Sequence, residues 1–275
     1  MRALLLAAGL GSRLQPLTNT LPKCLVPING RPLLDYWLAS LLGQGVGPIL
    51  LNTHYKAPLV AQYVEHSTWC PKVKLVYEER LLGTAGTVLA NRDFFNDEAF
   101  LIAHADNLTR FDCGEFIAAH RCRPAGTALT MMLFEAQDPS ACGIVERDES
   151  GVVQAFHEKV KNPPGRLANA AVYIVEQEVL DYMATLGKQE IDFSTEVIPH
   201  FMGRIFTFEN TDYHRDIGTV KSWVAAQHDF GMLDACQENA MLWQRIVETL
   251  GPALPIMMNS LQQPDDALSG ELNRY

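Results

Sequence analysis

Near the start of the chain, glycines and two basic residues are spaced to hold a polyanion. Leu6-Ala7-Ala8-Gly9-Leu10-Gly11-Ser12-Arg13-Leu14 runs from an apolar segment into a glycine turn, and Lys23 follows. Glycines let a backbone approach a phosphate closely, and successive N–H groups form a nest for an anion. Residues 1–34 contain no Asp or Glu but do contain Arg2, Arg13, Lys23 and Arg31, in a chain of net charge −10. An acid-free basic segment in an acidic chain suits an anion site. Chance composition produces the same pattern, so charge alone leaves both readings open. Three nucleotide loops compete for the turn. A dinucleotide fold needs G-x-G-x-x-G, but Leu14 stands at the third glycine and Asn52 stands where the second strand should end in an acid. A P-loop needs Gly-Lys-Ser/Thr, which is missing here. The third is a nucleoside-triphosphate loop that carries its own arginine.

Leu6 to Thr18, followed by Pro22-Lys23-Cys24-Leu25-Val26-Pro27, resembles the pyrophosphorylase signature of the sugar-1-phosphate nucleotidyltransferases. That signature is approximately G-x-G-x-R-[LF]-x-P-L-T, then P-K, and every named letter is matched. The resemblance implies that Leu6, Ala8, Gly9, Gly11 and Ser12 line the nucleotide. It implies that Arg13 offers a bidentate guanidinium to the β- and γ-phosphates. Lys23 would neutralise the α-phosphate or the attacking sugar phosphate. The plainer alternatives are a surface salt bridge for Arg13 and a solvated lysine for Lys23.

The same resemblance extends over roughly residues 1–225. Leu82-Gly83-Thr84-Ala85-Gly86 is similar to the turn lining the nucleobase and ribose pocket, in the form found in mannose-1-phosphate guanylyltransferases; an ordinary helix cap at Thr84 accounts for it too. His104-Ala105-Asp106-Asn107 closes an apolar strand and resembles the family's first metal aspartate, with Ala105 where Gly is usual. Arg215-Asp216-Ile217-Gly218-Thr219 resembles the Asp-x-Gly-Thr turn, which makes Asp216 the second metal carboxylate. A helix cap is the alternative for Asp216, and a turn or cap for Asp106. Phe156-His157-Glu158-Lys159 resembles the sugar-phosphate element, with Glu158 accepting sugar hydroxyls and Lys159 pairing with the phosphate. Asn169-Ala170-Ala171-Val172-Tyr173 resembles Asn-Ala-Gly-Ile-Tyr, whose Asn touches the sugar; Ala171 replaces the usual glycine. Asp192 reads as a helix cap that could also face the sugar.

The implied reaction is attack of a sugar 1-phosphate oxygen on the α-phosphorus of an NTP, with Mg²⁺ as cofactor and pyrophosphate leaving in line. Gly-Thr-Ala-Gly favours GTP with a mannose or heptose 1-phosphate. UTP with an amino-sugar 1-phosphate, CTP with phosphocholine, and a non-catalytic sugar-nucleotide-binding regulatory subunit are the rivals.

Positioning these residues requires strands that end beneath the glycine turn. Ala3–Ala8, 48–52, 73–77 and 99–104 are apolar runs, separated by segments at 32–42, 58–66, 85–91 and 113–120 that carry helical spacing. That alternation predicts an α/β domain, Rossmann-like, with a mixed, mostly parallel central sheet flanked by helices. The second half changes to strand-like segments at 128–134, 143–146, 152–157 and 168–175, with a hairpin turn at Asp148-Glu149-Ser150-Gly151. Helices are expected at 176–184 and 194–202, a short strand near 204–208, and helices again at 220–230 and 239–249. The expected organisation is a catalytic domain over 1–230 and a helical C-terminal appendage over 231–275, fraying after Pro255. No β-helix repeat follows residue 225, so no fused acyltransferase domain is expected.

The acidic balance disfavours nucleic acid and anionic membranes as partners. No apolar run reaches the length of a membrane helix, and the apolar start reads as a strand rather than a signal peptide. Six scattered cysteines without a C-x-x-C pair suit a reducing cytoplasm and disfavour zinc. Apolar residues on 239–249 can pack on the same domain or on a second copy; a homodimer is one expectation.

Overall fold

The computed structural model describes residues 1–231 and 236–262. Its centre is a nine-stranded mixed sheet. The strand order along it is Val153–Glu158, Gly143–Arg147, Leu167–Val175, Phe100–His104, Ala3–Leu6, Ile49–Thr53, Val73–Tyr77, with Leu129–Glu135 and Ile205–Glu209 added beside Leu167–Val175. Ala3–Leu6 pairs in parallel with Ile49–Thr53 and with Phe100–His104. Leu167–Val175 turns the sheet antiparallel.

The first strands read as continuous apolar runs because both faces are covered. Ala3, Leu5, Leu51 and Leu101 enter one buried core, while Leu4, Leu50, Phe100 and Ile102 enter the other. Period-two side-chain alternation sorts them. The predicted helices appear as Leu33–Gly43, Ala57–His66, Gly83–Ala90, Cys113–Arg121, Gln177–Thr185 and Val220–Asp229. The hairpin turn is also present: the Asp148 carboxylate accepts from the backbone N–H of Ser150 and Val152, each at 3.0 Å.

Two local expectations are corrected, and one further element appears. Residues 194–202 do not form an α-helix; Phe193–Val197 is a π-helical turn running into a 3₁₀ turn at Ile198–Phe201. Pro199 has no N–H to give to an α ladder. Pro255 does not begin a frayed end, because it lies in the first turn of the helix Ala253–Leu261, where the N–H groups have no intrahelical partner in any case. The expected loose tail from 263 onward lies outside the described residues. Lastly, Asn107–Arg110 and Tyr213–Asp216 form a small antiparallel ladder that the sequence pattern did not reveal.

The helix Gln237–Thr249 packs on Ala57–His66, with Trp243 edge-on to Tyr63 at 6.1 Å. Asn239 donates to the buried Asp35 carboxylate at 3.2 Å and accepts from the Thr68 N–H at 3.0 Å. Arg31, Tyr63 and Trp69 donate to the same carboxylate. Among the described residues no helix is long and apolar enough to cross a membrane.

Candidate functional site

The strands Ala3–Leu6 and Phe100–His104 lie side by side and deliver two segments to the same edge of the sheet, with Leu6 in register with His104. Beyond Leu6 the chain enters the glycine turn. Gly11 sits at φ +65°, and a Cβ there would meet the Thr18 methyl at 2.8 Å and Lys23 Cβ at 3.2 Å. Only glycine serves at this spot, on both conformational and spatial grounds. Thr18 closes the turn by donating to the Gly11 carbonyl at 2.8 Å. Packed under the turn, Lys23 is only 6 % exposed.

Beyond His104 lies Asp106. The small ladder sets Asn107 opposite Asp216, and the Ile217 N–H donates to the Asp106 carbonyl at 3.3 Å. Trp37 fixes this strand by donating to the Asn107 carbonyl at 2.7 Å, and the Asn107 amide donates to Ala170 O at 3.2 Å. The two aspartates therefore converge, and Lys23 Nζ donates to Asp106 Oδ2 at 2.7 Å and to Asp216 Oδ1 at 3.3 Å. Burial pulls the Lys23 pKa down, but the two carboxylates outweigh it and the net shift is upward. Burial pushes Asp106 up; the Lys23 charge outweighs that and holds its carboxyl below the usual range. His104 Nδ1 lies 4.0 Å from Asp106 Oδ1, and burial lowers its pKa, so the ring favours its neutral form.

The helix that follows Asp216 is capped by Thr219, whose hydroxyl accepts from the Ser222 N–H at 3.1 Å. Asp112 caps the helix after Asp106. Neither metal-candidate aspartate is used as a cap. Two carboxylates gathered on one cation form a hard-oxygen pair that fits Mg²⁺, which commonly takes one or two protein carboxylates and completes its shell with water and substrate phosphate.

The Gly83-Thr84-Ala85-Gly86 turn is pressed against the segment 189–193. The Ile191 carbonyl accepts from the N–H of Ala85 and Gly86 at 3.0 and 3.2 Å, and Thr84 Oγ1 accepts from the Phe193 N–H at 2.8 Å. A Cβ at Gly83, whose φ is +72°, would stand 2.5 Å from Ile191 O, and one at Gly86 would stand 2.2 Å from Gln189 O. Leu82, not Thr84, occupies the capping position of this helix. The two glycines thus have a packing reason in this fold that the sequence reading did not supply. Asp192 does act as a cap, accepting from the Thr195 N–H at 2.8 Å. A cavity of about 460 Å³ opens here between Gly83, Lys188, Glu190, Asp192 and Glu196.

Arg13 is exposed and makes no hydrogen bond or ion pair with any described residue. Lys159 Nζ pairs with Glu158 at 3.2 Å near the surface. The Asn169 amide donates to the Tyr173 hydroxyl at 2.7 Å and accepts from the Ala171 N–H at 2.9 Å. Ala171 holds φ +54°, the left-handed region in which the family glycine is at ease. Burial raises the pKa of the half-buried Cys142 thiol, and the Asp138, Asp216 and Glu158 carboxylates add to the rise. Lys23 is in direct contact with Asp106 and Asp216, with Leu6 ending the strand and Ala8, Gly9 and Ser12 on the turn that follows it. Arg13 and the group Glu158, Lys159 and Asn169 do not touch that triad.

One supporting residue was overlooked in the sequence. Asn52 Oδ1 accepts from the Ala7 N–H at 2.7 Å, and its amide donates to the buried Glu78 at 2.9 Å. Glu78 also accepts from Thr87 at 2.6 Å. The root of the glycine turn is thereby tied to the helix of the second motif. A polar residue ending an otherwise apolar strand was the available signal.

The model of the family described as "Nucleotidyl transferase" matches residues 2–231. A mannose-1-phosphate guanylyltransferase of Mycobacterium tuberculosis is 31 % identical over 232 residues, covering 82 % of this chain and 64 % of that protein. A UTP–glucose-1-phosphate uridylyltransferase of Synechocystis is 28 % identical over 240 residues, covering 81 % of this chain and 61 % of that protein. The chain therefore spans less than two thirds of the length of these relatives. Among solved structures, HddC from Yersinia pseudotuberculosis complexed with GMP-PN superposes with a TM-score of 0.71 at 25 % identity, covering 84 % of this chain and 99 % of that one.

Proposed function

This chain belongs to the nucleotidyl transferase family, and on that premise we propose that it transfers a nucleotidyl group from an NTP to a sugar 1-phosphate, releasing pyrophosphate. The observation that carries the proposal is the contact of Lys23 with both Asp106 and Asp216 beneath the glycine turn. The reaction asks for little covalent chemistry from protein side chains. It needs two anions brought together and charge neutralised where it shifts.

Backbone N–H groups of the turn from Gly9 to Ser12 cradle the triphosphate. Arg13, without a partner among the described residues, takes the β- and γ-phosphates as a fork and steadies the leaving pyrophosphate. Lys23 screens the approach of the sugar phosphate to the α-phosphate. Asp106 and Asp216 are the residues that would hold Mg²⁺, which when bound would supply neutralisation of phosphate charge. Glu158 and Asn169 orient the sugar, and Lys159 pairs with its phosphate.

The proposed substrates are GTP and a manno-configured 1-phosphate, supported by the Gly-Thr-Ala-Gly turn and by the guanylyltransferase relative. The uridylyltransferase relative supports UTP as a second reading. A pyrophosphate-release assay with four NTPs against mannose, heptose, glucose and amino-sugar 1-phosphates tests this. The highest kcat/KM is expected for GTP with mannose or heptose 1-phosphate. A preference for UTP would overturn the base assignment; silence throughout would favour a non-catalytic nucleotide-binding role. All six cysteines are free, which suits work in a reducing cytoplasm.

A further inference from the structure

The helix Ala253–Leu261 lies beyond the segment 2–231 matched by the family model, yet it packs against Leu17–Thr20, inside the loop that carries Arg13 and Lys23. That loop has two sides. On one, Thr18 and Lys23 close on Gly11 as described above. The other side presents Leu14, Leu17 and Leu21, each fully buried, to the core shared with Leu254, Trp243 and Ile246. Leu254 is 1 % exposed, and Met257, Met258 and Leu261 pack against the same core.

The loop itself has little regular structure to hold its shape. Between the strand Ala3–Leu6 and residue 26 it contains only turns of three or four residues. Such segments depend on side-chain packing for their geometry, because few hydrogen bonds repeat along them. The preceding helix, Gln237–Thr249, is itself anchored through Asn239 to Asp35 and Thr68, so the last helix is built on a fixed support.

From this we propose that Ala253–Leu261 is a brace for the phosphate-binding loop, and that Leu254 is a positioning residue for nucleotidyl transfer. The catalytic part of the statement rests on the function proposed above; the bracing part does not. Shaving Leu254 loosens the packing behind Leu14, Leu17 and Leu21, and the loop samples positions in which Arg13 and Lys23 no longer meet the triphosphate together. Misplacement of about 1 Å can cost on the order of 100-fold in rate.

The test compares Leu254→Ala with Ile205→Ala, a buried residue of the other core, in the full chain. Hydrogen exchange is measured on the amides of residues 11–25, and kcat and the KM for NTP are measured on the same preparations. Leu254→Ala is expected to speed exchange in 11–25 by roughly tenfold more than Ile205→Ala does. It is also expected to raise the NTP KM and lower kcat, each by about fivefold or more. The volume-conserving Leu254→Met should restore both readouts. If Leu254→Ala does not fold, Leu254→Val is read in its place. Unchanged exchange in 11–25 would overturn the brace. Faster exchange with the kinetics of Ile205→Ala would overturn the positioning role. A wild-type chain silent with every NTP would sink the enzyme reading, while the exchange result would still decide the brace.

Discussion

Lys23 donates to Asp106 across 2.7 Å although 83 positions of sequence separate them. The contact joins the signature loop to the carboxyl end of a neighbouring strand, and Asp216 completes it from a third part of the chain. Removing the ammonium leaves two carboxylates facing each other. Lys23→Ala is expected to lower kcat by about 100-fold or more, in the range of a lost charge-stabilising group, while far-UV circular dichroism stays native. Its thermal midpoint should rise more steeply with added MgCl₂ than that of the wild type, because the cation then replaces the missing charge. Wild-type turnover in this variant would remove Lys23 from the mechanism.

Arg13 presents the opposite case, an exposed cation with no partner among the described residues. Arg13→Ala should leave stability within about 0.5 kcal/mol of wild type, as substitutions at free surface positions do. Yet the variant should bind NTP more weakly. Urea unfolding alongside a nucleotide titration checks both halves.

The glycines of the two motifs should separate by the same logic. A Cβ at Gly9 has nothing within 4 Å, whereas one at Gly86 would press within 2.2 Å of Gln189 O. Gly86→Ala is therefore expected to lower the melting temperature by about 5 °C, a penalty of a few kcal/mol. Gly9→Ala should melt like the wild type and lose nucleotide affinity. A normal melt for Gly86→Ala would contradict the packing described around Gln189 and Ile191.

Away from the site, His120 makes stability depend on pH. It is 2 % exposed, with Nδ1 2.8 Å from Thr130 Oγ1 and Nε2 3.2 Å from Glu176 Oε1. The carboxylate can only accept, so Nε2 carries the proton and Nδ1 accepts from the hydroxyl. Burial and the Arg123 charge bring its pKa down from 6.5 to about 4, against the opposing pull of Glu176. The unfolded chain thus takes up this proton at a higher pH than the folded one. The His120 contribution is complete above pH 6.5 and is lost as pH falls towards 4. Urea midpoints measured between these limits should decline with acid, and His120→Gln should flatten that decline. An unchanged slope would remove His120 as its source.

Much of this could be read along the chain. Strand and helix positions in the first half follow from apolar periodicity, since both faces of the sheet are covered and each strand is a short uninterrupted run. The signature from Leu6 to Lys23 was legible because its parts are local. The second motif was only half legible: Gly83 and Gly86 could be seen, but not the backbone of 189–193 that requires them. The ladder between 107–110 and 213–216 gave no local signal, because four-residue strands carry too little pattern.

Sequence alone therefore determined the family, the architecture of the sheet and the identity of the basic residues at the glycine turn. All of these are written in neighbouring positions or in short periods. Tertiary structure decided which of those residues meet. It joined Lys23 to Asp106 and Asp216, released both aspartates from capping, tied Asn52 to the root of the turn, and set the last helix behind the loop. Such contacts depend on the register and crossing of elements distant in sequence. Those are fixed by burying two apolar cores at once, and no single segment contains that constraint.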